Sequence, residues 1–127
     1  MNDIRNVSDE LFSDLLRKEK KFIVLEFWSP GCSVCKDVEP ELVKAKKDLG
    51  PDTIFMRVNT DHNTKLTTKY QVTGTPTFLF FCKGQKVGGT IGYVNATVLR
   101  NTVNDLIRHS ISCSPGKRPS YEMDGYG

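Results

Sequence analysis

The fold of this chain turns on residues 21–36, KFIVLEFWSPGCSVCK. The first half, KFIVLEFW, is β-branched and aromatic with little alternation, which is the pattern of a strand buried on both faces. Ser29, Pro30 and Gly31 break it. From Ser33 to about Leu49, the apolar residues Val34, Val38, Leu42, Val43 and Leu49 fit a helix. Pro40 is expected to kink that helix, and Gly50-Pro51 to end it. Cys32 and Cys35 therefore sit where a strand hands over to a helix. Such a pair can staple a fold, hold a metal or exchange disulfides, and its surroundings decide which.

The rest of the chain narrows the choice. Its 127 residues make one ordinary domain, large enough to bury a core without staples. Four cysteines are too few and too unevenly spaced for a disulfide scaffold. The start, MNDIRNVSDELFSDLL, has no basic stretch leading into an apolar one, and the apolar runs are far shorter than a bilayer. The expectation is a soluble cytoplasmic protein with no membrane attachment, in a compartment where structural disulfides are rare. The net charge of +3 is interspersed. The densest basic stretches, Lys18, Lys20, Lys21 and Lys44, Lys46, Lys47, read as solvated helix faces or ends. No nucleic-acid motif accompanies them.

Working outward, Ser8 followed by Asp9, Glu10, Leu11, Phe12, Leu15 and Leu16 predicts a capped amphipathic helix. TIFMRVN (53–59) is a second strand, residues 62–70 a short helix, and TFLFFC (77–82) a third strand. Lys83-Gly84 turns the chain back into KVGGTIG as a hairpin partner. Asn95 to His109 carries Val98, Leu99, Val103, Leu106 and Ile107 at helical spacing. The predicted order is α-β-α-β-α-β-β-α. Strand-helix-strand implies parallel pairing with a right-handed crossover. The hairpin adds antiparallel strands. The fold class is α/β, a central mixed sheet with helices on both faces. Residues 1–110 form the domain, and 111–127, rich in Gly, Pro and Ser, are expected to be a mobile tail.

A zinc site usually takes four ligands, often as two CxxC pairs. Here there is one CxxC, while Cys82, Cys113, His62 and His109 are scattered, so no metal is expected. A cysteine at a helix N-terminus meets free N–H groups and the positive end of the helix dipole, which favour its thiolate. Cys35, one turn on, is within disulfide reach and should be more buried. That asymmetry suits thiol–disulfide exchange, with Cys32 attacking and Cys35 resolving. Lys36 adds a positive charge nearby, or is plain surface. Glu26, flanked by apolar residues inside a strand, is costly unless paired or protonated. It either pairs with Arg57 on the next strand or faces a helix end, or it accepts the proton of Cys35; these are compatible.

These residues resemble the thioredoxin family over roughly Asp9 to Ser110. The resemblance rests on EFW followed by CxxCK, Pro40 in the following helix, VNTD at 58–61 and GTPTFLFF at 74–81. It implies a thioredoxin fold and a protein disulfide reductase cycling between a Cys32–Cys35 disulfide and dithiol, with no bound cofactor. It implies a cis peptide before Pro76, a proline facing the CxxC. It also implies that Thr75 pairs with the substrate chain like an added strand. Gly92 matches a glycine that lets substrates approach, and Trp28 a tryptophan beneath the site. The implied partners are disulfide-containing proteins and a separate reductase, NADPH- or ferredoxin-linked, with the protein acting as a monomer.

The departures matter. Gly31 stands where thioredoxins usually have tryptophan, removing an apolar contact for partners. Ser33-Val34 replaces Gly-Pro, which frees a backbone N–H near the sulfurs. Glu26 replaces a shorter aspartate. These changes leave two alternatives: an oxidase- or isomerase-type protein, or a binding module with little turnover. In such a fold Cys82 and Cys113 fall at the far end. They are expected to be a buried strand-end cysteine and a tail thiol, with a second disulfide as the alternative.

Overall fold

The computed structural model describes residues 4–110 and 113. Five strands form one sheet in the order β1-β3-β2-β4-β5: β1 (Arg5–Asn6), β2 (Phe22–Trp28), β3 (Thr53–Asn59), β4 (Thr77–Cys82) and β5 (Gln85–Ile91). Helices α1 (Asp9–Lys18), α2 (Ser33–Leu49), α3 (Thr64–Lys69) and α4 (Ala96–His109) complete it. β2 runs parallel to β3 and antiparallel to β4, so the sheet is mixed as expected. α2 continues through Pro40.

Alternation along the central strands divides the interior into two cores. Phe22 and Val24 of β2, Phe78 and Phe80 of β4, and Phe55 of β3 pack against Val38, Leu42 and Ala45 of α2 and Leu99 and Val103 of α4. Ile23, Leu25, Phe27, Leu79 and Phe81 point the other way, onto Phe12 of α1 and Leu66 of α3. The same period places Glu26 and Arg57 on the α2 side of the sheet, below the helix that carries Cys35.

The helix ends follow local rules. The Ser8 side chain accepts from Leu11 N–H, and Asn95 accepts from Val98 N–H. Lys83 (φ 52°) and Gly84 (φ 84°) both adopt the left-handed region that a two-residue hairpin turn requires.

Two readings need correction. The predicted order lacks β1, whose two residues are too few to show a period; it pairs parallel to β3, Arg5 opposite Met56. The expectation that Cys82 and Cys113 are separate thiols is overturned, because they form a disulfide. Cys113 is buried in the α2/α4 core and is not a tail thiol. The remainder of the expected tail, 111–112 and 114–127, lies outside the described residues.

Candidate active site

β2 delivers the chain at Trp28, and Ser29-Pro30-Gly31 carries it to Cys32. Cys32 is the N-cap of α2, in extended conformation (φ −94°, ψ 105°). Its sulfur accepts a hydrogen bond from Cys35 N–H at 3.1 Å, doing the work that serine or aspartate does at other N-caps. The two cysteines form a disulfide, with Cα atoms 5.3 Å apart. Cys32 is half-buried, while Cys35 is only 1% exposed. An outer sulfur at the positive end of a helix and an inner sulfur behind it is the expected asymmetry.

Three loops meet there. The Thr75–Pro76 peptide is cis, and Pro76 is buried. Ser29 Oγ lies 3.4 Å from Thr75 Oγ1, tying the approach to Cys32 to the proline loop. Thr77 Oγ1 donates to Gly74 O at 2.6 Å, and Gly92 N–H donates to Pro76 O at 2.8 Å. Gly92 has φ 95° and open space where a Cβ would stand. Gly31 also has open space around its Cβ position. Lys36 is exposed on α2.

On the α2 side of the sheet, at the end of β2 that leads to the cysteines, lies a polar cluster. Glu26 is 1% exposed and sits opposite Arg57 in the β2–β3 register. Arg57 Nε donates to Glu26 Oε1 at 2.8 Å, so the pairing read from sequence is present. Oε2 of Glu26 is buried with no hydrogen-bond partner among the described residues. Burial pushes the Glu26 carboxyl above the ordinary carboxylate range; Arg57 opposes the rise, and Glu39 adds to it. Arg57 is shared, since it also lies 3.7 Å from Glu39 and 4.6 Å from the centroid of the Trp28 ring. Trp28 Nε1 donates to Asn6 of β1 at 2.9 Å.

Sequence reasoning did not find Asn6, Glu39, Ser29 or the apolar rim. Four large apolar side chains stand exposed among the described residues, and three lie next to Cys35 or Gly92 in the chain. Val34 lies between the cysteines, and Ile91 (69% exposed) and Tyr93 (55%) flank Gly92. An apolar residue on each side of an approach glycine was the available signal. A surface cleft lined by Arg5, Lys46, Pro51, Thr53 and Phe55 opens at the start of β3, away from the cysteines. Disulfide exchange needs an accessible sulfur rather than a cavity, so the cleft has no part in it.

The thioredoxin family profile matches residues 3–105. The chain belongs to the thioredoxin family. It is similar to Thioredoxin 1 of Synechococcus elongatus, 29% identical over 98 residues, covering 77% of this chain and 92% of that one. It is similar to Thioredoxin of Buchnera aphidicola, 28% identical over 81% of this chain and 94% of that one. Thioredoxin M-type, chloroplastic, of Brassica napus is 29% identical over 80% of this chain, which spans 58% of that protein's length. A chain from the structural work on the thiol-resolving mechanism of yeast mitochondrial 1-Cys peroxiredoxin via glutathione/thioredoxin systems superposes with a TM-score of 0.72. It is 28% identical, covering 82% of this chain and 96% of that one. With a closed CxxC pair at the start of α2, this thioredoxin-family chain is a thiol–disulfide oxidoreductase. Among the described residues, no helix is long and apolar enough to cross a membrane.

Proposed function

We propose that the protein reduces disulfides in other proteins, with Cys32 as the attacking thiol and Cys35 as the resolving one. The observation that carries this is the unequal exposure of the pair: Cys32 half-buried at the α2 N-cap, Cys35 behind it. The Cys32 thiolate attacks one sulfur of a substrate disulfide. That S–S bond breaks, a mixed disulfide forms, and the leaving thiolate takes a proton. Cys35 then loses its proton and attacks the Cys32 sulfur, which releases the second substrate thiol and closes Cys32–Cys35. Two electrons and two protons pass to the substrate.

Glu26 is the proposed acceptor of the Cys35 proton, since its unpartnered Oε2 lies on the α2 side of β2 and burial raises its proton affinity. Arg57 opposes that rise. Thr75, Pro76 and Gly92 form the proposed ledge for the substrate backbone. Gly31 leaves the Cys32 side open, and Trp28 backs the site. Val34, Ile91 and Tyr93 supply the apolar contact that Gly31 lacks, favouring substrates with apolar residues beside their cysteines. A separate reductase, NADPH- or ferredoxin-linked, reduces the pair, and the protein works as a monomer in the cytoplasm.

One feature favours a second direction. Val34 is the second residue of α2 and, unlike proline, keeps an N–H there. An added donor near Cys32 stabilises the reduced form and makes the pair a better oxidant. Insulin reduction tests the leading reading: Cys32→Ser abolishes turnover, and Cys35→Ser accumulates mixed disulfides. A Cys32→Ser protein that still reduces insulin refutes it. Partner capture that persists with both cysteines replaced, and without turnover in the unmodified protein, points instead to a binding module.

A further inference from the structure

The second disulfide lies at the other end of the molecule. β4 begins beside Pro76 and ends at Cys82, five residues beyond Thr77, a span of roughly 17 Å at strand rise. Cys82 is 5% exposed and Cys113 6%, both within the α2/α4 core. The elements that hold them are well anchored. β4 lies between β2 and β5. α4 is tied to α2 where Ala96 N–H donates to Glu41 Oε1 (2.8 Å) and Arg100 pairs with Asp48 (3.2 Å). If the bond were opened, the fold would keep the two sulfurs side by side, and such proximity favours closure.

The electrostatics of the two pairs are opposite. Cys32 caps the N-terminus of a helix and its sulfur accepts a backbone hydrogen bond. Cys113 follows the C-terminus of α4: its N–H donates to Ser110 O, and Ser110 itself caps the helix. A helix C-terminus and an apolar core both disfavour a thiolate. An attacking thiolate also needs a clear line to one sulfur, which burial denies at Cys82 and Cys113.

We propose that Cys82–Cys113 is a structural disulfide that stays closed while Cys32–Cys35 opens and closes, so that the protein carries two disulfides of unequal lability. The separation along β4 keeps the pairs from exchanging within one folded molecule. Shielding also lets such a bond persist in a reducing compartment.

The test uses the full, unmodified chain equilibrated in graded ratios of reduced to oxidised dithiothreitol. Opening either bond takes two electrons and two protons from one dithiol, which closes to its ring disulfide. Acid quenching, alkylation and peptide mass analysis then report each cysteine. The expected result is that Cys32 and Cys35 label at ratios at least about 100-fold lower than Cys82 and Cys113, about 60 mV for a two-electron couple. A smaller gap, the reverse order, or free Cys82 and Cys113 in protein whose Cys32–Cys35 bond is closed overturns the proposal. Each cysteine is read separately, so this outcome does not depend on whether Cys32→Ser abolishes insulin reduction.

Discussion

Opening the Cys82–Cys113 bond should cost the fold a calculable amount. The bond joins residues 31 apart, enclosing β5 and α4. In the chain-entropy account, closing such a loop removes about 12 cal/mol/K from the unfolded ensemble, or about 3.7 kcal/mol at 25 °C. At about 4 °C per kcal/mol for a chain of this size, the melting temperature should fall by about 15 °C. The clean comparison uses a Cys32→Ser/Cys35→Ser background, in which only one disulfide remains. Urea unfolding is measured with the bond closed and again after complete reduction, so no side chain differs in composition between the arms. Stability should drop by about 3 to 4 kcal/mol. The urea slope should also rise on reduction, because an uncrosslinked unfolded chain exposes more surface. A loss below about 1 kcal/mol with an unchanged slope would refute the reasoning. It would mean that native packing alone fixes the segment, or that the unfolded chain is already compact there.

Other perturbations probe the exchange site. Glu26→Gln should raise stability at pH 7 to 8, because burial lifts the carboxyl above its usual 4.5 and the folded state loses stability as pH rises through that lifted value. The gain should vanish below pH 4, where the carboxyl is protonated in both the folded and the unfolded chain; urea unfolding across pH checks it. The same variant should slow Cys35 resolution, seen as longer-lived mixed disulfide in quenched-flow alkylation. Ile91→Ser/Tyr93→Ser should lower kcat/KM for protein disulfides about 10-fold while leaving reduction of a small soluble disulfide unchanged, since only the former needs the apolar rim. Gly31→Trp should leave stability within about 0.5 kcal/mol, because the Cβ position is open, and should lower KM for insulin.

Much of this fold is legible in the sequence because its central strands are buried on both faces. KFIVLEFW and TFLFFC have no polar face to confuse a strand with a surface helix, and Pro30-Gly31 and Lys83-Gly84 punctuate them cleanly. The cysteine pair is legible for the same reason: a CxxC placed at a strand-to-helix junction inherits its geometry from that junction. Glu26 was visible as the one carboxylate in an apolar run, and its partner as the one arginine in TIFMRVN. What stayed hidden depends on tertiary register. Asn6 matters because a two-residue strand brings it to Trp28 Nε1, and Glu39 because the α2 face turns it toward Arg57. The cysteine count could not pair Cys82 with Cys113, because that bond depends on where β4 and α4 end in space.

The buried cluster explains how a longer carboxylate can occupy a position where the family usually has aspartate. One oxygen of Glu26 is held by Arg57, and the other is unpartnered. A fully ionised Glu26 would leave a buried charge with an open acceptor, which is costly; a fully neutral one would weaken its hold on Arg57. Arg57 also lies against Glu39 and the Trp28 ring. Burial raises the proton affinity of the carboxyl and Arg57 opposes the rise, which is the balance the proposed proton-acceptor role draws on. The second disulfide is chemically the opposite case. Cys82 ends β4 and Cys113 follows the C-terminus of α4, both shielded by core side chains. On the proposal above, two bonds of the same kind differ in lability because one caps the start of a helix with an accessible sulfur, and the other ties a strand end to the chain past a helix inside an apolar core.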